Sequence, residues 1–489
     1  MRLDRLVGLT AALSCVACAP RRVETFVTTP DRARLLAREA DLRQESAKPQ
    51  EAATATIEVD PRRTYQSMVG FGAALTDASA WLIWHKLAPS QRDSLLRDLF
   101  GPEPGAGFSF VRIDMGASDF ALRQYSYDDV PAGQSDPTLS HFSIAPDTAE
   151  TIPILERARQ LNPRLEIMAS PWSAPGWMKT TGSMIKGSLR PDVYAPYSEY
   201  FRRFVDAYAA RGIPIYAITI QNEPHYEPAD YPGMRFDPPA RATFIGHYLG
   251  PLFARTGIRT RILDWDHNWD EPQSPLAVLA DSTARRYVSG VAWHCYAGDD
   301  TAQGPVHDAY PDKDAYLTEC SGGDWAPKWA DNFAWMIEHL VIGATRNWAR
   351  GVLMWNLALD ENHGPHTGGC GNCRGVVTID SRTGAVTRNE EYYALAHASR
   401  FVKPGARRIE SSSVARLENV AFANEDGSRV LIVLNSDSTA RTFAVRERGR
   451  GFDYTLAPGA AVTFRWRWAL APPSCSARAG CAGCSSAYA

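Results

Sequence analysis

Eight short runs rich in apolar and β-branched residues recur through the middle of the chain. They are Met68–Ala73, Phe108–Asp114, Leu165–Ser170, Ile215–Gln221, Arg261–Asp266, Val288–His294, Ala315–Glu319 and Gly351–Asn356. Most are apolar on entry and turn polar at the C-terminal end. Longer stretches with apolar residues at helical spacing lie between them, such as Tyr197–Arg211 and Trp329–Arg346. Runs of period two alternating with runs of period 3.6 are the signature of βα units around a parallel sheet. Eight units between residues 66 and 398 predict a (β/α)8 TIM barrel, whose C-terminal strand ends carry the chemistry. Residues 399–468 read differently. Val414–Ala423, Arg429–Asn435, Thr442–Arg446 and Val462–Trp466 alternate with turn signals at Glu425–Gly427 and Pro458-Gly459, which predicts an antiparallel β-sandwich domain. Glu24–Thr28 and Thr54–Val59, within segment 19–65, are also strand-like and are expected to join it, so that both chain ends form one β domain beside the barrel. No repeat of 20–50 residues is present.

Composition narrows the class. Of 489 residues, 45% are hydrophobic and the formal net charge is −3, so a large core is available and no basic stripe points to nucleic acid. Several of the 14 Trp stand beside Pro, Gly, Asn or acidic residues rather than in apolar runs. A Trp released from core packing is suited to line a sugar pocket. Residues 1–18 read as an export signal: Arg2 and Arg5 precede an apolar stretch, Leu6–Ala17, too short to span a bilayer. The sequence Ser14-Cys-Val-Ala-Cys18 resembles a lipoprotein processing site with Cys18 as the lipidated residue, although Cys15 stands where Leu is usual. Ordinary cleavage is the competing outcome; either way the protein is expected to be exported, in the periplasm, secreted or anchored to a bacterial membrane. Nine Cys are present, and export permits disulfides. Cys370 and Cys373 are the candidates for a local bridge or reactive pair, with half a zinc site as the competing reading. Cys475, Cys481 and Cys484 fall in a Ser/Ala/Gly-rich tail, residues 469–489, expected to be disordered.

Two strand ends carry carboxylates. Ile218–Gln221 leads into Asn222-Glu223-Pro224, and Tyr316–Thr318 leads into Glu319. These fall on the fourth and seventh strands, so barrel closure brings them face to face. Strands six and eight end in aromatics, Trp293-His294 and Trp355-Asn356. Two facing carboxyls are what glycoside cleavage needs, one protonated to donate to the leaving oxygen and one ionised to attack the anomeric carbon. For an isolated Glu the ordinary reading is a cap or a surface ion pair; two strand-end glutamates amid strand-end aromatics argue against it. No metal or organic cofactor is required by this chemistry.

Five segments in order resemble motifs of glycoside hydrolase family 30, which includes the glucosylceramidases: Gly70–Asp77 (GFGAALTD), Ser170–Lys179 (SPWSAPGWMK), Gln221–Pro224 (QNEP), Trp293–Tyr296 (WHCY) and Trp355–Leu359 (WNLAL). The resemblance implies a (β/α)8 barrel with a side β domain and retaining hydrolysis of β-glycosides. It makes Glu223 the acid/base and Glu319 the nucleophile. It places Asn222 on the sugar 2-hydroxyl, Asp77 and Trp172 on the distal hydroxyls and apolar face, and Trp355 as the platform at strand eight. His294 and Tyr296 lie beside the nucleophile, and Tyr296 is expected to hold Glu319 ionised by a hydrogen bond. Each has an ordinary alternative: Asp77 as a helix cap, the two Trp as core. Arg112 either orients a catalytic carboxylate or pairs with Asp114. Trp265, Asp266 and His267, ending strand five, are candidates to contact the aglycone or a second sugar. Lys179 and Lys186 are expected in solvent.

The loop His366–Ile379, with Cys370 and Cys373, departs from the mammalian-like glucosylceramidases and looks like the branch that includes microbial β-1,6-glucanases. The first expectation is glucosylceramidase-like cleavage of glucosylceramide or another β-glucoside. The alternatives are an endo-β-1,6-glucanase, a β-xylosidase and, more distantly, a non-catalytic carbohydrate-binding protein.

Overall fold

The computed structural model describes residues 22–46 and 53–467. The leader with Cys18 and the Cys-rich tail lie outside the described residues. Eight parallel strands close into a barrel in chain order: Gly70–Leu75, Phe110–Asp114, Glu166–Ser170, Ala217–Thr219, Arg261–Asn268, Val288–His294, Asp314–Glu319 and Ala349–Met354. Each overlaps the run read from the sequence, and the strand-four segment, expected over seven residues, is three.

The barrel interior explains why these runs change character along their length. Residues i and i+2 of a strand face the same side. The lower interior layer is apolar, with Phe110, Met168, Ala217, Ala292 and Tyr316 packed together. Two residues further on, the same strands present Arg112, Ser170, Thr219, His294 and Thr318, all fully buried. Strand five breaks the alternation. The residue two beyond Leu263 is Trp265, yet it is Asp266 that joins the polar layer. The register shifts between Trp265 and His267 against strand six, and Trp265 and Asp266 hold φ of +78° and +55°. This is a bulge, which re-aims side chains beside a site.

The second domain is an antiparallel-dominated β-sandwich. Its 11-stranded sheet system uses Arg22–Thr28 and Ala55–Ser67 from the N-terminal side, with three two-residue strands, and six C-terminal strands from Arg407–Ser411 to Ala461–Arg467. Both chain ends thus build it. Ala55–Ser67 pairs antiparallel with Arg407–Ser411 at one end and parallel with Arg441–Glu447 at the other, and so joins the two layers. Arg407–Ser411 and Arg450–Leu456 are strands the alternation does not announce. The expected single helix over Trp329–Arg346 contains a π-helical segment, Met336–Gly343, between two α segments. No helix among the described residues is long and apolar enough to cross a membrane.

Candidate active site

Glu223 and Glu319 stand at the C-terminal mouth, on the loop after strand four and at the end of strand seven. Glu223 adopts φ +45°, a left-handed conformation uncommon for a side chain larger than Asn, and Pro224 follows it. Its amide donates to the Asp266 carbonyl at 3.0 Å, which ties the loop to the strand-five bulge. Strained backbone at such a position is retained when its surroundings over-determine it.

Beneath the glutamates lies a closed charge network. Asp266 is fully buried and accepts from Arg112 (2.8 Å), Ser170 (2.8 Å), Thr219 (2.6 Å), Thr318 (2.7 Å) and His294 (3.1 Å). Arg112, also fully buried, donates to Glu319 Oε2, to Asn222 Oδ1 at 2.7 Å and to Ser170. His294 donates from Nδ1 to Glu223 at 3.1 Å and from Nε2 to Asp266. Burial opposes charge on His294, but Glu319 and the hydrogen bonds to Asp266 and Glu223 outweigh it and lift its pKa to about 9. Burial likewise opposes charge on Asp266, yet Arg112 and His294 hold it far below the carboxylate range. Tyr296 donates to Glu319 Oε1 at 2.9 Å.

The two glutamates titrate as a pair. Burial favours the neutral form of each. At Glu319 it prevails over His294 and Arg112, with the Glu223 charge adding to it. At Glu223 the hydrogen bond from His294 and the charge of His267, 3.6 Å away, prevail over burial. Glu223, His267 and His294 present ligand-type atoms within 4.8 Å of one another, but both ring nitrogens of His294 already hold carboxylates, so the group serves hydrogen bonding.

One wall is aromatic. Trp172 and Trp355 stack with centroids 5.0 Å apart, Arg112 lies 4.7 Å over the Trp172 ring, and Phe120 meets Trp355 edge-on. Cys373 belongs to the same apolar cluster, with Tyr231 and Cys370 packed against it. Cys370 and Cys373 form a disulfide.

Of the residues singled out in the sequence, Glu223, Glu319, Asn222, His294, Tyr296, Arg112 and Asp266 join in one network beside the Trp172–Trp355 pair. Several readings change. Asp266 is sealed below the glutamates and cannot touch an aglycone. Trp265 is core: it packs on His225 and His267 and donates to the Asn268 carbonyl. Asp77 opens a helix and accepts from Tyr125 at 3.1 Å, and burial and the Asp147 charge raise it to about 7; the next residue, Ala78, packs in the Trp172–Trp355 cluster. Arg112 orients Glu319 and does not pair with Asp114. Lys179 is buried, not solvated, and donates to Ser173, Met184 and Gly233, with its pKa pulled down by burial to about 7.

Sequence reasoning passed over Asp119. It follows strand two in Ser118-Asp119-Phe120, is 8% exposed, and its Oδ1 has no protein partner. Burial and then the charges of Glu319 and Glu223 raise its pKa well above the usual range. A buried acceptor without a partner, within reach of the catalytic charges, is shaped to receive a ligand hydroxyl. Its only sequence signal was an Asp beside an aromatic just past a strand end. The second missed feature is the Cys295–Cys320 disulfide, which joins the residue after His294 to the residue after Glu319.

A closed eight-stranded βα barrel with two facing glutamates at its C-terminal mouth, set in an Arg–Asp–His network against stacked tryptophans, defines a glycosidase. The chain belongs to glycosyl hydrolase family 30: residues 68–402 match its TIM-barrel domain and 405–464 its beta-sandwich domain. It is 37% identical to the endo-1,6-beta-D-glucanase neg1 of Aspergillus fumigatus, over 76% of this chain and 79% of that protein. It is 31% identical to the lysosomal acid glucosylceramidase of Mus musculus, over 84% and 83%. The solved structure of the endo-beta1,6-glucanase BT3312 superposes with a TM-score of 0.85 at 31% identity, covering 92% of this chain and 100% of that one.

Proposed function

We propose that the protein is a retaining endo-β-1,6-glucanase, with Glu223 as acid/base and Glu319 as nucleophile. The glucanase reading, second in the sequence analysis, takes precedence over glucosylceramide cleavage. The observation that carries it is the higher identity to a β-1,6-glucanase than to a glucosylceramidase, 37% against 31%.

Without substrate the balance of burial and partners puts the proton the pair shares on Glu319; cleavage runs from the other arrangement of that proton, with Glu319 ionised and Glu223 protonated. Arg112 and Tyr296, which both donate to Glu319, stabilise that state. Glu319 attacks the anomeric carbon as the bond to the leaving oxygen breaks, and Glu223 gives its proton to that oxygen. A water then attacks the same carbon, Glu223 takes its proton, and the ester to Glu319 breaks. Cationic His294, anchored on Asp266, keeps the Glu223 carboxyl aimed across the mouth. Arg112 holds the Asn222 oxygen and so leaves its NH2 to the sugar 2-hydroxyl. Asp119, with Asp77, supplies acceptors for distal hydroxyls, and Trp172 and Trp355 form the apolar wall.

Incubation with a linear β-1,6-glucan, gentiobiose, glucosylceramide and an aryl β-glucoside tests the reading. Intermediate-length oligosaccharides should appear early from the glucan. Glucose released only from glucosylceramide or the aryl glucoside would defeat it in favour of the lipid-linked alternative. Glu319→Gln should lose turnover by about 10³-fold or more. Glu223→Ala should keep the first step on an activated aryl glucoside and regain the second with azide. We also read the chain as exported; the leader pattern in residues 1–18 and two disulfides among the described residues support this.

A further inference from the structure

Two aromatic side chains stand in solvent on the loops that follow the two glutamates. Trp325, six residues past Glu319, is 52% exposed, and Tyr226, three past Glu223, is 50% exposed. A lone exposed aromatic needs no explanation. These two differ in how firmly they are held and in what they adjoin.

Trp325 is mounted on a braced turn. Its ring lies on Gly323 so closely that a Cβ there would come 2.1 Å from ring carbon Cζ3. Gly322-Gly323 pairs antiparallel with Cys373-Arg374, and the Asp324 amide donates to the Asn372 carbonyl at 3.0 Å. The Asp324 carboxylate meets His363 at 3.0 Å, and the other ring nitrogen of His363 donates to the Cys373 carbonyl at 2.9 Å. Cys373 in turn packs in the cluster of Trp172 and Trp355. An unbroken line of contacts therefore runs from the sugar wall, through the Cys370–Cys373 turn, to Trp325. On the loop after strand four, the Tyr226 amide donates to the Glu223 carbonyl at 2.9 Å, and its ring lies 6.5 Å from Tyr231, which packs on the same cluster.

The loops around the pocket are cross-tied. The Thr367 amide donates to the Asp119 carbonyl at 3.0 Å, and the Gly369 amide to Asp230 at 3.2 Å, so the loops after strands two, four and eight are laced together around Asp119.

We propose that Trp325, together with Tyr226 on the loop after the acid/base, forms a stacking platform for glucosyl units on the leaving-group side of the cleaved bond, and so sets preference for polymeric over short substrates. The proposal rests on the β-1,6-glucan reading and extends it. A 1,6-link carries one more rotatable bond per residue than a link to a ring hydroxyl. Its chain therefore loses more entropy on binding, and a rigid preset platform reduces that cost. A planar indole offers the apolar face of a glucosyl ring a large contact area with little freedom of its own.

The test compares wild type, Trp325→Ala, Trp325→Phe and Tyr226→Ala on soluble β-1,6-glucan and on an aryl β-glucoside, whose leaving group is too short to reach the platform. Trp325→Ala should lose about tenfold in kcat/KM on the glucan, mostly through KM, and stay within twofold on the aryl glucoside. Trp325→Phe should recover most of the loss, and Tyr226→Ala should show a smaller one of the same kind. Equal losses on both substrates, or no loss on either, would overturn the platform. A wild type that spares the glucan but cleaves a long-aglycone glucoside overturns the substrate reading instead. The platform is then judged by the same ratio, long aglycone against aryl.

Discussion

Asp266 shows how much of the site rests on a residue that cannot touch substrate. Five donors converge on one fully buried carboxylate, two of them cationic, and those two are the groups that grip Glu319 and Glu223. Burying Arg112 and His294 without it would leave two positive charges balanced only by carboxylates that must change protonation during turnover. Asp266→Asn keeps the shape and removes the charge, and an amide NH2 would face donors it cannot accept from. Removing one partner of a buried charge network typically costs roughly 3–5 kcal/mol. The expected outcome is a lowered thermal midpoint together with at least ~10²-fold loss of kcat. An unchanged midpoint with normal activity would mean that the glutamates alone neutralise Arg112 and His294. Of this network, the sequence disclosed the ends and not the middle. Glu223, Glu319 and His294 stood at legible strand ends. Asp266 also stood at one, but its inward aim depends on a bulge, and nothing in Asp264-Trp-Asp266 says which of two acidic residues the bulge will select.

At the scale of elements, the barrel was legible because each strand changes from an apolar to a polar inward layer, a pattern that survives without any partner. The β domain was less so. Arg407–Ser411 (RRIES) is charged at most positions because it is the seam between Ala55–Ser67 and Leu417–Ala423, and Arg450–Leu456 opens on Arg-Gly and carries Asp at its centre. Pairings across the fold were out of reach for a different reason. Cys295 and Cys320 are 25 residues apart, and only the parallel pairing of strands six and seven brings their ends together. That bridge ties the turn bearing His294 and Tyr296 to the residue after Glu319. Closing a 25-residue loop contributes roughly 3 kcal/mol against the unfolded chain. Replacing both cysteines with serine should therefore lower the thermal midpoint. It should also lower kcat with little change in KM, since the bridge positions the Glu319–Tyr296 pair rather than the sugar wall. A variant with a lower midpoint but full kcat would show that strand pairing alone keeps those groups in place. Cys370→Ser with Cys373→Ser should do the reverse, acting on KM for long substrates through the turn that supports Trp325.

At the scale of the molecule, the β domain is fused to the barrel rather than appended. Strand Ser428–Asn435 is buried on both faces: Val430, Ile432 and Leu434 belong to the barrel core, and Leu431 and Val433 to the sandwich core. Phe26 packs on Phe401 at 4.5 Å across the same seam. His397, fully buried on the helix Glu390–Ser399, joins both chain ends there. The Thr463 hydroxyl donates to the His397 carbonyl, so its oxygen accepts from Nδ1 at 2.8 Å. The Thr28 oxygen already accepts from the Leu36 amide, so its hydroxyl donates to Nε2 at 2.8 Å. The network thus assigns a neutral ring protonated on Nδ1. Burial, with Arg400 adding, depresses the pKa of His397 from 6.5 to about 3. The sign follows from linkage. Above pH 6.5 the ring is neutral in both folded and unfolded chains and its stabilisation is complete. As pH falls from 6.5 toward 3 the unfolded chain takes up a proton that the folded one refuses, and stability falls by ~1.4 kcal/mol per pH unit from this group alone. His397→Gln, which can donate and accept in the same place but does not titrate there, should be less stable at neutral pH and show a shallower loss on acidification. Thermal midpoints of both proteins from pH 8 to pH 4 measure the difference in slope. Parallel curves would mean that the seam opens to let His397 charge without unfolding, and that the two domains separate more easily than their shared core implies.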